Sequence, residues 1–160
     1  MVTGGCGFHA VYAAGNPSRG ALSSVYVNLL PNRNGQLLRQ ALQARLQTTD
    51  DTAPMRYTLR ITYVDHLQNV NIQQDNSITR QRDYGEATWT LSSVDEPSEK
   101  LAGGTVRSVD GYNVVDEQFF YQRMETESVE HRLADALADQ IVLGIASYFN
   151  KHPDKTLAAK

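Results

Sequence analysis

The chain has 160 residues, 41% of them hydrophobic and 21% charged, which are the proportions of one globular domain. Fifteen Lys and Arg against eighteen Asp and Glu leave a net charge of −3, which argues against nucleic acid as the main partner because phosphate binding calls for a basic footprint. No apolar run approaches the roughly eighteen residues that would cross a bilayer as a helix.

Gly4-Gly5-Cys6-Gly7 holds the one cysteine, so no intramolecular disulfide can form. Three bland readings of that thiol are open: a buried small side chain, an inert residue, or a nucleophile. Chain ends are rarely packed into a core, and a nucleophile needs a positioned base that a glycine-rich end does not offer. A diacylated anchor fits best. Small residues precede Cys6, as a lipoprotein signal peptidase requires, and glycine follows it, although Thr3 stands where Leu is usual. Met1 lies five residues before Cys6, as in a chain cut just behind a signal peptide. Phe8 to Gly20 is rich in Ala, Gly, Pro and Ser and reads as an extended tether. Residues 1–22 are therefore expected to be anchor and tether, 23–152 one domain, and 153–160 a tail.

Ser24 to Leu30 reads as a strand with Val25, Val27 and Leu29 on one face, stopped by Pro31. Pro31 to Gly35 reads as a turn. Gln36 to Gln47 carries Leu38, Ala41, Leu42, Arg45 and Leu46 at spacings of three and four, an amphipathic helix. Arg56 to Val64 alternates, with Tyr57, Leu59, Ile61 and Tyr63 on one face and Arg56, Thr58, Arg60 and Thr62 on the other. After a turn at Gln73 to Ser77, a strand runs from Ile78 to about Ser93. Its apolar positions change parity near Gly85-Glu86, which predicts a β-bulge or bend there. Asp95 to Lys100 reads as a hairpin loop and Gly104 to Val115 as another long strand. Phe120 to Asn150 is a long helix whose apolar stripe includes Val129, Leu133, Leu137, Ile141 and Ile145, with Pro153 as its stop. The order β-α-β-β-β-α predicts an α+β two-layer sandwich: a four-stranded mixed sheet covered on one face by two helices.

Residues able to carry catalysis do not converge in this pattern. His9, His66, His131 and His152 are not at metal-ligand spacing, and Cys6 with His9 falls short of a zinc set. The acidic pairs Asp50-Asp51 and Asp95-Glu96 fall in loops. Gly103-Gly104 opens a strand rather than a helix, and no Gly-x-Ser-x-Gly elbow is present. An enzyme is not expected, nor a metal or cofactor. Arg56, Arg60, Arg80, Arg82 and Arg107 remain, on the middle strands. Either they solvate a sheet face and discourage edge pairing, or they form a patch for an anionic ligand with guanidinium forks on phosphates.

Several stretches in order resemble the LPS-assembly lipoprotein LptE family, in an alphaproteobacterial-like form. They are Cys6-Gly7-Phe8-His9, Val25-Tyr26-Val27-Asn28, Pro31 to Leu42, Tyr57-Thr58-Leu59, Asn71 to Asp75 with Thr79-Arg80, Ser108-Val109 through Asp116, and the closing helix. The resemblance covers nearly the whole chain and rests on order and spacing. It implies two helices on a four-stranded mixed sheet, lipidation of Cys6, and placement at the periplasmic face of the outer membrane of a Gram-negative bacterium. It further implies a partner, the β-barrel LptD, whose lumen the family's protein plugs and whose assembly it assists, and binding of lipopolysaccharide. In the enterobacterial branch that binding is attributed to basic residues at a hairpin tip and near the start of the last helix. Here the tip reads Gln73-Gln74-Asp75, and the nearest basic residues are Arg80 and Arg82, with Arg123 near the helix. Those three are the candidate lipopolysaccharide contacts. A free periplasmic binding protein for an anionic lipid is the alternative, and it would need an internal apolar cavity.

Overall fold

In the computed structural model, residues 18–47, 54–72, 78–114 and 119–153 are described. Cys6, His9, the Asp50-Asp51 pair, the Gln73 to Ser77 turn and the tail from 154 lie outside them. The elements in chain order are α1 (Ser18–Ser23), β1 (Val25–Val27), α2 (Arg33–Leu46), β2 (Tyr57–Ile72), β3 (Ile78–Ser93), β4 (Lys100–Asn113) and α3 (Phe119–Lys151).

The sheet order is β1-β2-β3-β4. Strand β1 lies parallel to β2, as a strand-helix-strand crossover requires, and the two following hairpins are antiparallel. Alternation sends Leu59, Ile61, Ala87, Trp89 and Leu91 to one face, where they are buried against Leu38, Leu42 and Leu46 of α2 and Leu137, Ile141 and Ile145 of α3. This is the expected two-layer sandwich. A smaller cluster of Tyr112, Val129 and Leu133 extends the core toward the start of α3.

Ion pairs hold the helix layer together. Arg33 meets Glu127 at 3.0 Å and Glu130 at 3.5 Å, while Arg45 reaches Asp135 at 3.0 Å and Asp139 at 2.5 Å. The order of partners shows that α2 and α3 run in the same direction. Hydrogen bonds to Asp139 and Asp135, together with their charge, raise the pKa of Arg45.

Four local expectations are corrected. Leu29 does not share the buried face of Val25 and Val27: β1 ends at Val27, Asn28 N–H donates to Leu59 O at 3.0 Å, and Leu30 turns inward while Leu29 is exposed. Gly35 is not in a turn but inside α2, because that helix starts at Arg33, after Asn32 takes a strained φ of 64° with ψ of 164°. A Cβ on Gly35 would lie 2.9 Å from Leu30 Cβ, so its role is close approach. No bulge falls at Gly85-Glu86, where Val64↔Glu86 and Asp65↔Gly85 pair without a break. The apparent change of parity arises because Asp83 and Gly85 occupy buried-face positions. At Gly85 a Cβ would meet Leu137 Cδ1 at 3.0 Å and the Tyr63 hydroxyl at 3.2 Å. Finally, a short helix occupies Ser18–Ser23 at the end of the stretch read as extended, and Ala21 and Leu22 enter the core.

The closest fit between layers is at Trp89. A Cβ on Gly144 of α3 would lie 2.7 Å from Trp89 Cζ2, whereas one on Gly104 of β4 would stand 3.6 Å from Trp89 Nε1. Gly to Ala in a helix ordinarily stabilises by about 0.4–1 kcal/mol. Here the buried indole cannot yield, so Gly144→Ala is expected to destabilise by about 1–3 kcal/mol through overpacking. Gly104→Ala meets ordinary contact distance and should cost less. Urea unfolding of both variants checks the order, and a Gly144→Ala protein as stable as the parent would refute the fit.

Candidate binding surface

Two helices suffice for one face of a four-stranded sheet. Among the described residues no helix covers the other face, and the register places its residues in cross-strand rows: Arg60 beside Thr90, Thr62 beside Thr88 and Thr105, Val64 beside Glu86 and Arg107, His66 beside Tyr84 and Val109, and Arg82 beside Gly111. Neighbouring side chains satisfy one another. The Thr88 and Thr105 hydroxyls stand 3.0 Å apart, Arg107 pairs with Glu86, and His66 stacks on Tyr84 with ring centroids 5.0 Å apart. Threonine suits a pleated, half-wet surface, and the face is polar where a hidden one would be apolar.

Charge is distributed unevenly. Arg60, Arg80, Arg82 and Arg107 share the open face, because each occupies the parity opposite to the buried positions. Lys100 joins them: its Nζ lies 2.9 Å from where a Gly103 Cβ would be, and Gly103 pairs with Thr90. Glu86 is the carboxylate set among them on the strands. Arg60, Arg80 and Arg82 are exposed and have no ion-pair partner among the described residues. Arg56 lies just before β2 and is half-buried.

The predicted contacts divide between layers. Arg80 and Arg82 project from the open sheet face, while Arg123 is exposed on α3, in the helix layer. They share one end of the molecule, since Arg80 pairs with Asn113 and the neighbouring Tyr112 packs on Val129 of α3. His131 is exposed on α3, as expected of a helix-surface residue. The partnership of His66 with Tyr84 was not legible beforehand, because only the strand register brings them together.

A second polar group lies under the same end, on the helix side. Asp83 is 8% exposed, and its Oδ1 has no hydrogen-bond partner among the described residues. Burial pushes its pKa up, and Asp65 and Glu130 push it further, against the Tyr84 backbone N–H, which favours the charged form. Glu130 Oε2, also buried, faces Arg33 at 3.5 Å without a hydrogen bond. Tyr63 beside them is raised by burial and by the same carboxylates. Among the described residues no group of His, Cys, Asp and Glu is arranged to hold a metal ion, and no helix is long and apolar enough to cross a membrane.

Comparison with known proteins bears on the whole chain. A family model described as LptE: Lipopolysaccharide-assembly matches residues 22–145. No curated protein sequence matches. A candidate lipoprotein from Caulobacter crescentus CB15 superposes with a TM-score of 0.71 at 20% identity, covering 87% of this chain and 99% of that one. Rare lipoprotein B from Shewanella oneidensis gives 0.59 at 13% identity, covering 81% and 97%. A minor lipoprotein from Acinetobacter baumannii gives 0.56 at 16%, covering 77% and 88%. At these identities the likeness shows a shared fold.

The Asp83 environment has a pH signature. A carboxyl with a raised folded-state pKa binds its proton more tightly folded than unfolded. Its contribution to stability is therefore present below the ordinary carboxylate pKa and is lost as pH rises through the raised value. Asp83→Asn removes that loss. The variant should melt higher than the parent at pH 7, and the gap should close as pH falls toward about 4, the ordinary aspartate value. Thermal melts across that range check it, and a gap independent of pH would exclude the carboxyl as its source.

Proposed function

The chain belongs to the LptE family of lipopolysaccharide-assembly proteins, and from that premise we propose that it serves as a lipid-anchored outer-membrane component that plugs the LptD barrel, assists its assembly and binds lipopolysaccharide. The observation that carries this reading is the helix-free sheet face: threonine-rich, broad, and basic on a chain of net charge −3.

A surface with that composition suits a water-filled barrel, whose interior wall is polar. An apolar face would suit a second layer of the same protein. The unpaired guanidinium groups of Arg60, Arg80 and Arg82 suit the phosphates of lipopolysaccharide, which an arginine fork can grip through two parallel hydrogen bonds. Arg123 adds a cation at the same end from the helix layer. Cys6 carries the anchor in this reading, and the stretch between it and α1 links membrane to domain. The role needs no bond-making chemistry. Binding, positioning and shape complementarity are sufficient for it.

Exposed ion pairs are each worth about 0.2–1 kcal/mol. Replacing Arg80 and Arg82 together with Ala should therefore weaken lipopolysaccharide binding by roughly two- to thirtyfold at low salt, with the difference shrinking as salt rises. Arg123→Ala should act in the same direction and more weakly. Equal affinity and equal salt slope in parent and double variant would remove the arginines from the site. Extraction of the lipidated protein in mild detergent should bring a large β-barrel with it, and recovery of the chain alone would sink the plug reading.

A further inference from the structure

Strand β4 is an edge of the sheet, and an edge strand offers unpaired backbone groups to any extended chain. Two devices guard its ends. At the start, Lys100 and a shift of register opposite Leu91 and Ser92 break regular pairing. Farther along, Gln140 of α3 donates its side-chain amide to Arg107 O at 3.2 Å. Between them, from Leu101 to Val106, the outer edge receives no hydrogen bond from the described residues. That open stretch is six residues long (101–106), about the length of an ordinary strand. It includes Gly103 and Gly104, which put no side chain in the way.

A groove of about 380 Å³ lies along the helix side of this stretch, between β4 and the last turns of α3. Its floor is the edge of the Trp89 indole, left open by Gly144, with the Gly103 backbone on one side and Tyr148, Lys151 and His152 on the other. Tyr148 and His152 are stacked at 4.5 Å, which fixes that wall. No carboxylate lines the groove, and Lys151 is exposed without an ion-pair partner among the described residues.

We propose that β4 takes an extended segment of a partner protein as a fifth strand along Leu101–Val106, with one apolar side chain over Trp89 and one acidic side chain toward Lys151. Strand addition of this kind draws affinity from main-chain hydrogen bonds and specificity from a pocket for alternate side chains. The groove supplies that pocket on the helix side of the edge. The site is separate from the helix-free face and stands whether or not that face meets a barrel.

The test uses the full chain and a phage-displayed library of short random peptides. Selected peptides should share an extended apolar-acidic pattern. They should also shift the emission of Trp89, the chain's one tryptophan, which makes fluorescence a local reporter of the groove. Lys151→Glu should weaken them by about tenfold, as expected where like charges meet, and exchanging the peptide's acid for lysine should restore binding to that variant. Arg82→Glu, on the other face, should leave them unchanged. The proposal is overturned if no such peptides are enriched, if those enriched leave Trp89 emission and the Lys151→Glu variant indifferent, or if dodecyl phosphate alone moves the Trp89 signal. The last result would mark the groove as a lipid site.

Discussion

The described structure follows from one shortage: a four-stranded sheet has two faces, and the described residues supply long helices for only one. Strands β2 and β3 must then be amphipathic, with Leu59, Ile61, Ala87, Trp89 and Leu91 turned to α2 and α3 and a row of threonines and arginines turned away. The helices in turn must lie close and flat, which explains the small residues at their contacts. Ala134, Ala138 and Ala146 of α3 are buried, and Gly144 sits where any side chain would strike Trp89. The ion pairs of Arg33 and Arg45 with α3 lie at the two ends of α2 and fix the helix layer as a unit. Each has at least one well-exposed partner, so they set alignment more than they add stability.

The same shortage determines where the core runs out. Beyond Tyr63, β2 has no helix over it, and residues 64 to 70 are exposed on both faces. The β2–β3 hairpin therefore projects past the helix layer. At the boundary stand Asp83, Asp65 and Glu130, carboxyls that neither the full core nor open water would place side by side. Arg33 and Asn34, at the start of α2, reach toward them: Asn34 Nδ2 donates to Asp65 at 2.9 Å. On the β2 side the projecting end thus rests on polar contacts, while on the β4 side Tyr112 packs on Val129 and Leu133 of α3.

Much of this was legible from residue pattern. The parity of Tyr57, Leu59, Ile61 and Tyr63 identifies the buried face of β2, and the threefold and fourfold spacing in α2 and α3 identifies theirs. The misreadings share one physical cause: a position was judged by its side chain alone when its neighbours decided it. Gly85 looks like a break in a strand but is glycine because Leu137 and Tyr63 fill its space. Gly35 looks like a turn but admits Leu30. Leu29 looks like the third buried residue of β1, yet the strand pairs for only three residues before the chain turns. The open face itself was foreseeable, because the arginines keep strand parity. Which of them stand together was not, because that depends on the register between strands.

Net charge is a poor guide to the chemistry of any one surface for a related reason. At −3 the chain looks mildly acidic, but the average hides a division between layers. Glu86 apart, the described carboxylates that form ion pairs or lie buried (Glu127, Glu130, Asp135, Asp139, Asp83, Asp110) belong to α3 or to the helix-facing side of the sheet. Among the described strand residues, Glu86 is the one carboxylate set among the cations of the open face. Such a separation gives the domain a dipole across its thickness, of a kind that orients a protein before contact and raises the local concentration of anions at one surface. The field falls off over about 8 Å at physiological salt. It therefore acts only on what comes close, which is the condition of a domain tethered at a membrane or enclosed in a lumen. Composition can exclude a partner that coats a whole surface, as nucleic acid does, while leaving room for one that meets a single face.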